Sequence, residues 1–298
     1  MKHRTAIFWM VAAALMWSLG GVVSRHLESS EGLEITFWRS TFAALTVLTW
    51  FVLRGASVGQ GGPLAVLAQG GKAVWISGAM WAVMFTCFML ALTLTKVANV
   101  LIVQSLAPVC TALLAWFVLR KRVEARTWVA IALAALGIVT MYAVDVSGLG
   151  GRHVAGVLIA LFVPFASAVN WVVLQRAGKN VDMSVSVLVG GTISALVCLP
   201  FALPLQLSVH DLSLLAFLGV VQLGIPCVLV MYVARHVSAP EAALLGLLEV
   251  VFGILLTWAF GAERPGMATL IGGSAVLAAL VFNELSKPSA KAAESLVA

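Results

Sequence analysis

Glu249 stands in the stretch LLGLLEVVFGILLTW (residues 244–258), among apolar and small residues. If that stretch crosses a membrane, insertion scales put the cost of the acid near the bilayer centre at about 2.5–3.5 kcal/mol. A carboxylate kept at that cost can carry a proton, orient a polar ligand or bond a neighbouring helix. Gly246, Glu249, Gly253 and Thr257 recur at steps of three and four, so they share one helix face. A second stripe, Gln104, Ala107, Thr111 and Ala115, runs beside Pro108. Small faces let helices approach closely, so the glycines are read as packing positions. Glu249 and Gln104 are read as facing the interior, with a direct role and a structural one both open.

Other polar and aromatic residues interrupt apolar runs in the same way. WISGAMWAVMFTCFMLAL (75–92) carries Met80, Trp81, Met84, Phe85, Phe88 and Met89, and GVVQLGIPCVLVMY (219–232) carries Gln222, Pro226 and Tyr232. Trp17 and Ser18 interrupt the first run, and Asn170 and Trp171 the sixth. Aromatic and Met side chains of this kind usually pack or face lipid. Gathered with Gln104, Asn99 and Asn170, they suit a cavity for a molecule with an apolar side chain and a polar head. Arg39, one turn inside its run, is expected to snorkel to the interface rather than meet an anionic substrate group. Ser238-Ala-Pro-Glu241 reads as a capping box.

The rest of the inventory excludes several chemistries. His3, His26, His153, His210 and His236 lie at loops or termini without metal-ligand spacing, so no metal or cofactor is expected. Cys87, Cys110, Cys198 and Cys227 sit far apart in apolar runs, with no disulfide framework. No G-x-x-x-x-G-K-[ST] occurs, and the glycines of 54–72 and 144–153 read as flexible connectors rather than phosphate cradles.

The elements that must position these residues follow from composition. Hydrophobic residues make up 62% of the 298 and charged residues 10%, with a mean hydropathy of +1.07. An ordinary soluble domain has about 45–50% and 25%. The chain is therefore expected to be an all-α membrane protein, and one span needs about 20 apolar residues. Apolar runs predict ten transmembrane helices near 5–24, 35–53, 73–94, 97–118, 127–144, 154–175, 184–203, 212–234, 238–261 and 266–283. With that count, one side collects Lys2, Arg4, Arg54, Lys72, Arg120, Lys121, Arg122, Arg126, Arg176, Lys179, Arg235, Lys287 and Lys291. The other side has only Arg25, Lys96, Arg152 and Arg264. The positive-inside rule then puts both termini in the cytoplasm, and the pI of about 9.5 records orientation rather than nucleic-acid binding.

An offset of 142 residues lays SLAPVCTALLAWFVLRKRVEARTW (105–128) on LLEVVFGILLTWAFGAERPGMATL (247–270). Trp116, Arg122 and Thr127 fall on Trp258, Arg264 and Thr269. Each half then holds five helices, an odd number, so the second must enter the membrane from the opposite side. The expected domains are a first repeat (1–145), a second, inverted repeat (152–285) and a cytoplasmic tail (286–298). Inverted repeats are the architecture of many secondary transporters.

The stretch ARHVSAPEAALLGLLEVVFGILLTWAFGAERPGMATLIGG (234–273) resembles the terminal helix pair of the drug/metabolite transporter superfamily, in its ten-helix branch of duplicated EamA-type domains. KVANVLIVQSLAPVCTALLAWFVLRKR (96–122) repeats the pattern in the first half. Two positions depart from it: Val250 stands where a proline often follows the glutamate, and Lys121 replaces an acidic residue. The chain is most similar to bacterial inner-membrane exporters of aromatic and other neutral amino acids. The resemblance implies a cavity between the halves with alternating access, lined by Trp17, Met80, Trp81, Gln104, Asn170, Trp171, Gln222 and Glu249. Its expected partners are the lipid bilayer, a small-molecule substrate such as an amino acid, and a proton if transport is coupled. The leading expectation is an exporter of small neutral metabolites; a multidrug or other metabolite carrier of the same fold is the alternative. An intramembrane transferase would need clustered Asp or His, which the spans lack, so an enzyme is not expected.

Overall fold

The computed structural model describes residues 3–29, 31–58, 63–119, 125, 128, 129, 132, 133, 136, 137, 151–177, 183–233, 239–260 and 266–285. The described residues form helices and no strands, as so apolar a chain must if its backbone groups are to be satisfied inside lipid. In chain order the elements are α1 (His3–Ser24), α2 (Gly32–Val58), α3 (Pro63–Leu94), α4 (Val97–Gln104), α5 (Ala107–Leu119), α6 (Gly151–Ala160), α7 (Phe162–Ala177), α8 (Val185–Ala202), α9 (Val209–Phe217), a π-helical segment (Leu218–Gly224), α10 (Ile225–Val233), α11 (Ala239–Phe260) and α12 (Met267–Leu285). Among the described residues, six stretches are long and apolar enough to cross a membrane: Arg4–Ser24, Gly32–Arg54, Gly70–Leu94, Gly151–Leu174, Val185–Ala202 and Val209–Val230. Shorter apolar helices include Leu245–Phe260, which carries Glu249.

Several predicted spans are interrupted, and the chemistry of the interruption is local. The span expected at 97–118 is α4 and α5, separated by Ser105 and Leu106. Pro108 has no N–H to donate to the Gln104 carbonyl four residues back, so the helical ladder loses a bond at this point. The tightened turn is held by Leu106 N–H on the Val103 carbonyl (3.1 Å) and Ser105 Oγ on the Ile102 carbonyl (2.6 Å). The span expected at 154–175 likewise divides at Leu161, three residues before Pro164. At Pro226 the answer differs: the helix widens, with Ile225 N–H reaching the Val220 carbonyl five residues back. The loop expected across 54–72 is shorter than predicted, because α3 begins at Pro63. It bends at Gly71, whose φ of 55° and ψ of −150° favour a residue without a Cβ.

Helices from before residue 145 pack mainly on helices from after it. α1 lies along α11, α2 and α3 lie on α8, α3 also meets α7, and α1 and α2 close on the π segment. Absent side chains make this possible. A Cβ on Gly190 would fall 2.3 Å from Trp81 Cβ, and one on Gly219 would fall 2.4 Å from Phe42 Cβ. The two larger apolar clusters among the described residues fill the seam. One joins Phe88, Met89 and Leu101 to Leu218, Leu247 and Val276; the other joins Trp81 and Phe85 to Val189, Leu223 and Cys227. Trp116 and Trp258, aligned by the 142-residue offset, are both exposed on the outer surface.

At the loop end of α1 and α2, buried carboxylates tie the two parts of the chain together. Asp211 accepts Glu28 N–H (2.9 Å) and Ser29 N–H (2.8 Å), and Glu34 accepts Gln206 N–H (2.8 Å). A cavity of about 470 Å³ opens there, with Glu31, Phe201 and Pro204 also on its wall. Most of the span predicted at 127–144, the connector 144–150, Lys121, Arg122, Ser238, the side chains of Glu241 and Tyr232, and the tail 286–298 lie outside the described residues.

Candidate functional site

The site is built where polar side chains from different helices meet inside the apolar spans. Gln104, the last residue of α4, donates from Nε2 to Glu249 Oε1 of α11 at 3.1 Å. These are the two residues singled out on the separate stripes, and the bond spans 145 positions of sequence. Glu249 is buried and Gln104 is half-buried. The glycines flanking the acid behave differently. A Cβ on Gly253 would lie 2.4 Å from Leu101 Cδ1, so that position is a packing contact, as expected. A Cβ on Gly246 would meet nothing within 4 Å among the described residues, so the packing expectation finds no contact there.

A second meeting point lies on the same seam. Arg39 of α2 donates from Nε (3.2 Å) and Nη2 (2.9 Å) to one oxygen, Gln222 Oε1, in the π segment. Gln222 in turn donates from Nε2 to the Trp17 carbonyl of α1 (3.1 Å). Gly20 makes room for this amide, since a Cβ there would sit 2.9 Å from Gln222 Nε2. The guanidinium carbon lies 5.7 Å from the centre of the Phe88 ring, a cation–π arrangement. The snorkelling expectation for Arg39 is therefore wrong. The side chain is 2% exposed and turns inward, because Gln222 and Phe88 offer it partners that the interface side of the helix does not. A charged residue inside a span already carried that signal.

The other sequence-predicted residues divide between these points and a third. Trp81 is buried against Phe85, with ring centres 5.5 Å apart, in the cluster that Trp17 packs on. Asn170 is taken up elsewhere: Ser77 Oγ of α3 bonds it, Ser77 also contacts Ser186 Oγ of α8 at 2.9 Å, and Ser186 donates to the Met183 carbonyl. That chain fastens α3, α7 and α8, and sequence spacing offered no sign of the two serines. Ser40, Thr86 and Ser194 form a comparable contact between α2, α3 and α8, with oxygens 2.9 Å apart. Met80 and Trp171 are half-buried and join neither polar meeting point. Asn99 is buried, donates weakly to Thr95 Oγ1 at 3.3 Å and leaves its Oδ1 without a partner among the described residues. No group of three or more His, Cys, Asp or Glu among the described residues is placed to hold a metal ion.

Comparison with known proteins gives this arrangement a context. The EamA-like transporter family matches the chain twice, over residues 4–143 and 154–284. The chain belongs to the EamA-like transporter family. Among curated EamA-type relatives, the pseudopaline exporter CntI of Pseudomonas aeruginosa is 25% identical over 287 residues, covering 93% of this chain and 95% of that one. The S-adenosylmethionine uptake transporter of Rickettsia prowazekii is 22% identical, covering 94% of this chain and 92% of the relative. Human solute carrier family 35 member G1 is 22% identical over 94% of this chain and 79% of its own length. A crystal structure 18% identical in sequence shares the fold at a TM-score of 0.63, covering 95% of this chain and 98% of the other. The protein is thus a multi-pass membrane transporter of the EamA family, and its relatives are transporters rather than enzymes.

Proposed function

We propose that this protein exports small neutral metabolites, amino acids with aromatic or other neutral side chains, from the cytoplasm across a bacterial inner membrane by alternating access. The observation that carries this reading is that Glu249 and Arg39, buried among apolar side chains, are each bonded across the seam between the two family-matched segments. Gln104 meets Glu249 there, and Arg39 meets Gln222. A motion that parts the segments must break and remake these bonds, which makes them sensitive to whatever molecule replaces a partner. The position of Gly246, where a Cβ meets nothing within 4 Å among the described residues, and the aromatic residues Trp17 and Trp81 supply a mixed polar and apolar lining. Met80 and Trp171 complete the proposed lining, and Asn170 borders it through Ser77.

In this reading the segments are five-helix repeats of opposite orientation, and both termini are cytoplasmic, as the lysine and arginine bias requires. An exporter among the relatives supports the direction, and an uptake transporter among them makes direction something to measure. The test is transport of radiolabelled amino acids by proteoliposomes, with and without a pH gradient, for wild type and Glu249→Gln. Proton coupling through Glu249 is expected to show as gradient-driven movement in wild type that the variant loses. Equal behaviour of the two proteins would make Glu249 a structural acid. Movement of no amino acid under any gradient would overturn the substrate assignment.

A further inference from the structure

Arg39 is the single Lys or Arg among the described residues that is buried. Its hydrogen-bond partner carries no charge, and Glu249 acts on it only through space. Nε and Nη2 share one amide oxygen, Gln222 Oε1, and that oxygen belongs to an uncharged side chain. Nη1 is buried with no hydrogen-bond partner among the described residues. Glu249 of α11 accepts from Gln104 through its Oε1 rather than bonding Arg39. An arginine presents a planar fork that suits two carboxylate oxygens, and here one tine is occupied by an amide while the other is idle.

Resting on the transport reading above, we propose that Arg39 is the anchor for the carboxylate of the transported molecule, with Nη1 as its first donor. Three features support a carboxylate over other anions. Among the described residues no second Lys or Arg is buried with it, and Glu249 already acts on it through space, so a phosphate dianion would be left uncompensated. Phe88 and the apolar cluster around Phe85 and Trp81 lie along one face of α3 beside the guanidinium, which suits an apolar body attached to the anionic head. Gln222, the only hydrogen-bond partner of the Arg39 side chain among the described residues, lies in the other family-matched segment and on a π-helical turn. π turns recur at functional sites. Parting the segments frees the guanidinium from Gln222 and opens Nη1 at the same time. Substrate carboxylate and Gln222 Oε1 are then alternative acceptors for one fork, and their exchange links binding to the position of the π segment.

The test needs no variant for its first arm. Purified wild-type protein is titrated with each of the twenty amino acids and with the matching carboxamides, following thermal stabilisation. At least one amino acid is expected to bind tenfold or more tightly than its amide. In the second arm Arg39→Gln is expected to bring acid and amide within twofold of each other, with an unchanged helical circular-dichroism spectrum and a single gel-filtration peak reporting an intact fold. A parallel panel of lactate, benzoate and indole-3-acetate with their amides separates the two proposals. If only this panel shows an acid preference that Arg39→Gln removes, the anchor stands and the amino-acid assignment falls. If amino acids bind or move but wild type treats acid and amide alike, or if Arg39→Gln keeps the preference, the anchor falls and transport stands. Absence of any carboxylate binding in both panels overturns both.

Discussion

Gln104 and Gln222 each stand four residues before a proline, and each reaches across the seam to a buried charge, yet they do so with opposite ends of the amide. Gln104 offers its Nε2 to Glu249, whereas Gln222 offers its Oε1 to Arg39 and its Nε2 to the Trp17 carbonyl. In both cases the proline removes the N–H that the glutamine carbonyl would accept. The backbone resolves that loss in two ways. After Gln104 it leaves the helix for two residues, and around Gln222 it stays helical in a widened turn. The difference follows from packing. Gly219 and Gly224 seat the widened turn on α2, where a Cβ would lie 2.6 Å from the Arg39 carbonyl and 2.7 Å from Thr46 Cβ respectively. The same local chemistry thus makes a hinge point in one place and a clamped, wide turn in the other. The charges differ as well: Arg39 keeps an idle buried nitrogen, and neither Gln104 nor Glu249 has an unpartnered buried side-chain atom among the described residues.

The largest test of that contrast is Gln222→Leu. It removes the shared acceptor and leaves the guanidinium without a hydrogen-bond partner among the described residues, so thermal or denaturant unfolding is expected to show a loss of about 3 kcal/mol or more. Stability equal to wild type would mean that Gln222 does not hold Arg39. Gln104→Leu is expected to have a smaller effect, about 1.5–2 kcal/mol, because one charge-assisted bond at a half-buried position is lost. A loss as large as that of Gln222→Leu would erase the asymmetry between the two glutamines. The smallest effects separate the glycines beside the acid. Gly253→Ala is expected to cost about 1 kcal/mol by pressing on Leu101, and Gly246→Ala to stay within about 0.5 kcal/mol. Equal costs in an unfolding assay would show that a Cβ at Gly246 does meet a neighbour.

Most spans were readable because apolar runs bounded by charge and turn residues correspond directly to helices: 184–203 was expected against Val185–Ala202, and 266–283 against Met267–Leu285. The interruptions were not read, although Pro108, Pro164 and Pro226 were visible, because hydropathy continues unbroken across each of them. The departure noted at Val250 acquires a physical consequence. It aligns with Pro108, and α11 runs through it without a break where α4 and α5 are divided. Of the candidate site, the inward placement of Glu249 and Gln104 was legible from stripe geometry. Arg39 was assigned the wrong direction, since a lone cation two turns into a helix has no periodic partner to indicate which way it points.

By itself the sequence determined the membrane class, the helical composition, the approximate spans and the scarcity of embedded charge, because each of these depends on residue type and on spacing within one turn or one span. Only the tertiary structure decided which polar groups meet. The Gln104–Glu249 and Arg39–Gln222 bonds join residues 145 and 183 positions apart, and no local period constrains such distances. Their selection rests on close helix approach at Gly20, Gly219 and Gly253, where missing side chains let one helix lie against another. In an apolar medium a polar side chain bonds the partner that packing brings within reach, and packing is a property of the assembled chain.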